Sequence, residues 1–159
     1  MEKWDRRFLE LAKQVSTWSK DPSTQVGAVL TRDRNVVGMG FNGLPRGVRD
    51  TEERLFNRTL KYQYIVHAEV NSCLDAGRDA QGATLYLTAS KNFGSILPCA
   101  ECTKVVIQSG VKEIVGYDPL TVLPYDSDIV ARWAESFKIS EQMLKEAGVT
   151  WRDIPYRKS

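Results

Sequence analysis

Two short segments about thirty residues apart must meet in space for this chain to make chemical sense, and no other feature constrains its fold as much. They are His67-Ala68-Glu69 and Pro98-Cys99-Ala100-Glu101-Cys102. One imidazole and two thiolates supply three of the four positions of a tetrahedral zinc ion and leave the fourth open for a water. Glu69 is not needed as a ligand. It stands two residues from His67, where a proton carrier for that water belongs. A purely structural metal site is the alternative reading, and so is a site without metal; a lone C-x-x-C or H-x-E would not decide between them. Both together, in this order and with Pro98 directly before the first cysteine, favour catalytic zinc.

The closed-site alternative is testable because the chain has one histidine and three cysteines. A Cys₃His site would recruit Cys73. Residues 68–76 read as a helix with Val70, Cys73 and Leu74 as its apolar stripe. Cys73 then lies about 9 Å along the axis from His67, on a different face. It is expected to be an inert core thiol.

Composition sets the class. A chain of 159 residues, 42% hydrophobic and 26% charged, is expected to fold as a single domain spanning 1–159. A net charge of +2 argues neither for nor against nucleic acid, since a dedicated binder concentrates its basic residues on one face. No apolar run approaches the roughly eighteen residues that cross a membrane. Met1-Glu2-Lys3-Trp4-Asp5 lacks the apolar region of a secretion signal. Two cysteines at metal spacing and one inside a helix make no disulfide framework, so a cytoplasmic location is expected.

Periodicity places the motifs. Residues 4–18 carry Trp4, Phe8, Leu11, Ala12, Val15 and Trp18 at helical spacing. Residues 26–31 and 36–41 read as a hairpin, and 54–60 as a short Arg-rich helix. A helix then begins at His67 and ends by Gly77, a strand spans 83–88, and Pro98 opens a helix to about Ser109. A strand at 111–115, a helix at 128–147 carrying Ile129, Trp133, Phe137 and Met143, and a strand at 149–154 complete the chain. Strands alternating with helices after His67 imply parallel pairing. The expected result is a three-layer α/β/α domain on a five-stranded mixed sheet, with two helix starts pointing at one metal.

The spacing H-x-E…P-C-x-x-C is the signature of zinc nucleobase deaminases. Further segments narrow it: Ser19-Lys20-Asp21-Pro22-Ser23-Thr24-Gln25-Val26-Gly27-Ala28, Gly40-Phe41-Asn42-Gly43-Leu44-Pro45, His67-Ala68-Glu69-Val70-Asn71 and Ile107-Gln108-Ser109-Gly110-Val111-Lys112-Glu113. Together, in this order, they resemble the deoxycytidylate (dCMP) deaminase family from about Phe8 to Gly116. The resemblance implies the cytidine-deaminase-like fold, Zn²⁺ on His67, Cys99 and Cys102, and hydrolysis of a cytosine deoxynucleotide to the uracil nucleotide and ammonia. It makes Glu69 the proton carrier, and it implies a homo-oligomer, dimer or hexamer. Asn42 resembles the family asparagine that contacts the nucleotide, with a turn residue as the alternative. Where regulated relatives have a tyrosine beside that asparagine this chain has Phe41, which leaves effector control open.

Thr24 and Ala68 fall within the same matching segments. Arg46, Arg49, Arg54, Arg58 and Lys61 are the cations between the Asn42 loop and His67, with Arg46 and Lys61 the candidates for phosphate; a solvated charged face is the alternative. The stretch from Ala89 to Leu97 is longer than the family pattern. There Phe93 is a candidate for stacking on the base, and the extra length suggests a five-substituted dCMP as substrate. Two rivals stand beside this reading: deamination of a base in tRNA or single-stranded DNA by the same chemistry, and an inactive zinc-binding interaction module, against which Glu69 counts.

Overall fold

The computed structural model describes residues 1–91, 97–121 and 127–158. Its elements are α1 (Glu2–Ser16), β1 (Gln25–Arg32), β2 (Asn35–Phe41), α2 (Glu52–Phe56), α3 (Arg58–Tyr64), α4 (Ala68–Ala76), β3 (Thr84–Lys91), α5 (Ala100–Gln108), β4 (Glu113–Tyr117), α6 (Ser127–Ala147) and β5 (Thr150–Ile154). The five strands form one sheet in the order β2-β1-β3-β4-β5. β1 pairs antiparallel with β2 and β3, while β3, β4 and β5 run parallel. This is the expected mixed sheet.

Both faces of the sheet are covered. Phe8, Leu9 and Ala12 of α1 pack with Val29, Tyr86, Val115 and Ile154 on one face. Cys73 of α4, Val106 of α5 and Leu144 of α6 pack with Ala28, Leu30, Leu85 and Ile114 on the other. Successive residues of β1 therefore enter different cores, which is why it reads as a continuous apolar run. The hairpin turn is two residues long, with Arg32 opposite Asn35 and positive φ at Asp33 (48°) and Arg34 (65°). That primed geometry follows the twist of the strands without the usual glycine.

Gly38 and Gly40 bring α4 down onto β2. A Cβ on Gly40 would lie 2.6 Å from the Ala68 carbonyl oxygen, and one on Gly38 2.5 Å from that of Ser72. α4 starts at the metal motif, so this close seat sets the height of His67 and Glu69 above the sheet.

Several expectations need correction. The first helix ends at Ser16, and Trp18 lies beyond it, 51% exposed, edge-on to Phe41 with ring centroids 6.1 Å apart. The Arg-rich segment is two helices: Asn57 ends the first and caps the second by accepting from the Leu60 N–H at 3.1 Å. Leu74 is exposed, and the buried side of α4 is Ala68, Glu69, Ser72, Cys73 and Ala76. On α6 the fully buried anchor is Leu144 in place of Met143. The fifth helix begins at Ala100 with Cys99 as its N-cap, two residues after Pro98.

Candidate active site

The N-cap positions of α4 and α5 are occupied by His67 and Cys99, and neither side chain makes a capping hydrogen bond. Serine, threonine or aspartate would ordinarily stand there to bind a free backbone N–H. Here both side chains turn towards each other. His67 Nδ1 lies 3.1 Å from Cys102 Sγ and 3.6 Å from Cys99 Sγ. All three donor atoms fall within 4.8 Å of one another. Tetrahedral zinc with Zn–N near 2.0 Å and Zn–S near 2.3 Å places such atoms about 3.5–3.8 Å apart. The donor set fits that ion in kind and in spacing. Cys73 is buried in the core and is not part of the cluster.

The cluster's protons are unevenly shared. The hydrogen bond with Cys102 holds the Cys99 thiol down to about 4, against burial and with help from His67. That same bond pushes Cys102 far up. His67 is raised to about 9 by its hydrogen bond to Cys99, with burial opposing. A dication suits this set because ligation deprotonates both thiols and takes over the charge balance. Glu69, at the second position of α4, is buried, and burial pushes its carboxyl above the usual range while His67 pulls it down.

The cysteine segment is held from α6. Ser136 Oγ accepts from the Ala100 N–H at 2.8 Å, satisfying one of the free N–H groups in the first turn of α5. Ser140 Oγ donates to the Pro98 carbonyl at 2.8 Å and accepts from Thr103 Oγ1 at 2.9 Å.

A cavity of about 300 Å³ opens beside the cluster. Glu69, His67 and Cys99 line it with Ala68, Thr24, Asn42 and Lys61, so the structure brings these sequence candidates together. Asn42 is buried and its amide is largely committed. Nδ2 donates to the Thr24 carbonyl (2.8 Å) and to Asp21 (3.4 Å), and Oδ1 accepts from the Val26 N–H (2.9 Å). Only an acceptor site on Oδ1 remains for a ligand. Asp21 also accepts from the Ser23 and Thr24 N–H groups and from Lys61 at 3.1 Å, locking the 21–24 loop.

Arg46 is exposed and does not line the cavity. Phe93 lies outside the described residues, although Ala89 and Leu97 on either side of that segment both line the cavity. Sequence reasoning missed Arg132 on α6 as a lining residue. An arginine on a long helix reads as solvated surface, and only its position one residue before Trp133 in the apolar stripe hinted otherwise.

Residues 2–117 match the family described as the cytidine and deoxycytidylate deaminase zinc-binding region. The chain belongs to this family. The deaminase is 39% identical over 153 residues, 95% of each chain, to an uncharacterized deaminase in the luxG 3' region of Aliivibrio fischeri. It is 33% identical over 158 residues to the deoxycytidylate deaminase of Mus musculus, covering 94% of this chain and 78% of that one. In fold it resembles the crystal structure of dCMP deaminase from the cyanophage S-TIM5 in complex with dCMP and dUMP. That match has a TM-score of 0.69 and 20% identity, with 97% of this chain and 98% of the other covered. The deaminase is thus a zinc-dependent hydrolytic enzyme, and the His67, Cys99 and Cys102 cluster fits its metal. Among the described residues, no helix is long and apolar enough to cross a membrane.

Proposed function

We propose that this deaminase converts a cytosine deoxynucleotide, dCMP in the first instance, to the uracil nucleotide and ammonia. The observation that carries the reading is the placement of Glu69: a buried carboxyl beside the metal cluster, on the wall of a cavity whose lining also holds Arg58, Lys61 and Arg132. The cavity volume falls at the lower end of the roughly 300–1,000 Å³ of small-molecule sites.

Zinc, when bound, lowers the pKa of a water towards about 7 and so supplies hydroxide at neutral pH. His67, Cys99 and Cys102 are the residues that would hold it. Glu69 accepts a proton from the attacking water, gives it to the ring nitrogen beside the amine-bearing carbon, and then helps the amine leave as ammonia. Its burial favours the protonated carboxyl that the donating half of this cycle requires. Asn42, with its donors held by Thr24 and Asp21, presents Oδ1 as an acceptor for a sugar hydroxyl.

Two finer features belong to the same reading. A five-substituted dCMP is accepted at a rate comparable to dCMP, supported by the long Ala89 to Leu97 segment whose two ends line the cavity. The chain assembles at least as a dimer, supported by exposed apolar side chains at Trp18, Met39, Phe41 and Phe56. An ammonia-release screen across deoxycytidine, dCMP, 5-methyl-dCMP, tRNA and single-stranded DNA tests the assignment. Turnover of dCMP well above deoxycytidine is expected. Turnover confined to nucleic acid would transfer the enzyme to the polynucleotide deaminases.

A further inference from the structure

The residues around the cavity discriminate among the cations available for a phosphate. Besides His67, three cationic side chains line it: Arg58, Lys61 and Arg132. Lys61 is buried and its ammonium is engaged, donating to Asp21 Oδ1 at 3.1 Å and to Ser23 Oγ at 2.9 Å. That pair fixes the 21–24 loop and neutralises itself. Arg58 and Arg132 differ. Both are exposed, and among the described residues neither makes an ion pair or a side-chain hydrogen bond. Asp128 also lines the cavity and is itself engaged in an interaction.

The two arginines come from different elements that meet at this cavity. Arg58 is the first residue of α3 and Arg132 lies on α6. Tyr62, one turn after Arg58, packs edge-on against Trp133, the residue after Arg132, with ring centroids 5.9 Å apart. Trp133, Phe137 and Tyr62 are lining residues too, so an aromatic wall ties the helices that carry the two guanidiniums.

We propose that Arg58 and Arg132 together hold the 5′-phosphate of the nucleotide, making the C-terminal helix α6 a specificity element of the enzyme. This rests on the nucleotide reading above and deepens it. The planar fork of a guanidinium matches phosphate oxygens two at a time, and two forks from separate helices converge on one dianion. Glu69 is buried and both arginines are exposed, so a base that reaches Glu69 leaves its 5′ substituent towards the guanidiniums. Arg58 lies within the family match of residues 2–117, whereas Arg132 and its helix lie beyond it, so one of the two guanidiniums comes from outside the zinc-binding region.

The test compares Arg58→Ala, Arg132→Ala and the control Arg46→Ala on dCMP and deoxycytidine, and titrates dUMP and deoxyuridine into each zinc-loaded protein by calorimetry. Each cavity variant is expected to lose about tenfold or more in kcat/KM on dCMP, and similarly in dUMP affinity. Deoxycytidine turnover, deoxyuridine affinity and every parameter of Arg46→Ala stay near wild type. Wild-type preference for dUMP in both cavity variants would overturn the assignment while leaving deamination intact. Equal wild-type binding of dUMP and deoxyuridine would overturn it whatever the activity. Failure of the wild-type protein to release ammonia from dCMP or deoxycytidine sinks the substrate reading instead.

Discussion

Ser136 Oγ, on α6, accepts a 2.8 Å hydrogen bond from the N–H of Ala100, the residue that follows Cys99 of the candidate metal cluster. The Cys99 side chain leaves the first turn of α5 uncapped, and α6 supplies an acceptor for one of its free N–H groups. Ser136→Ala therefore leaves the fold intact but loosens the cysteine segment. A lost hydrogen bond of this kind is worth about 1 kcal/mol, so zinc transfer to a chelating dye should accelerate several-fold relative to wild type. Unchanged transfer kinetics would show that Pro98 and Ser140 suffice to hold the segment.

Gly40 sets how closely α4 approaches the sheet. A methyl group there meets the backbone of Ala68 and Ser72. Gly40→Ala is expected to cost about 1–3 kcal/mol through overpacking and to lower zinc occupancy by lifting His67. Gly43→Ala, with nothing within 4 Å of the added carbon, is the matched control and stays near wild type. Thermal melts and bound-zinc stoichiometry check both variants.

The two cysteine classes separate in the same assay. Cys73→Ser retains zinc and most activity, at a modest cost in stability from placing a hydroxyl in the core. Cys99→Ser loses both metal and activity. Zinc loss in Cys73→Ser without unfolding would contradict the three-ligand site.

Asp5 anchors the far side of the fold. It is buried and accepts from Arg152 at 2.7 and 2.9 Å and from Tyr86 Oη at 2.9 Å, tying α1 to β3 and β5. Burial works to raise its pKa, but the Arg152 and Tyr86 hydrogen bonds prevail and hold the carboxyl below the ordinary value. A folded pKa beneath the unfolded one, about 4, stabilises the protein above that value. The contribution disappears as pH falls through the folded pKa. Asp5→Asn is expected to cost about 2–4 kcal/mol at pH 7, and the gap from wild type should narrow in strong acid. Denaturant titrations at both pH values measure it; an equal gap at each would assign the effect to packing alone.

The metal cluster was legible because its residue types are few and their spacing is fixed by ligand geometry. One histidine and a C-x-x-C pair leave little choice, and helix rise and facing together pointed Cys73 away from the metal. The order of strands and helices followed from periodicity, since the two cores of the sheet make β1 apolar throughout and α1 amphipathic. What could not be read was what side chains do across the fold. Ser136 and Ser140 look like solvated helix serines, and only tertiary packing turns them towards Ala100 and Pro98. Asp5 reads as a helix-start carboxylate and is a core acceptor instead. Among the basic residues between Asn42 and His67, charge alone could not separate Arg46, on the surface, from Lys61, which is buried against Asp21.

In the proposed reaction Glu69 moves the protons of a zinc-dependent deamination of dCMP. Glu69→Gln keeps the size of the side chain and removes its capacity to carry a proton. Ammonia release from dCMP, measured on wild type and variant with equal bound zinc, is the direct measurement. A fall of about 10²- to 10⁴-fold is expected with the metal retained. Unchanged turnover in the zinc-loaded variant would contradict it.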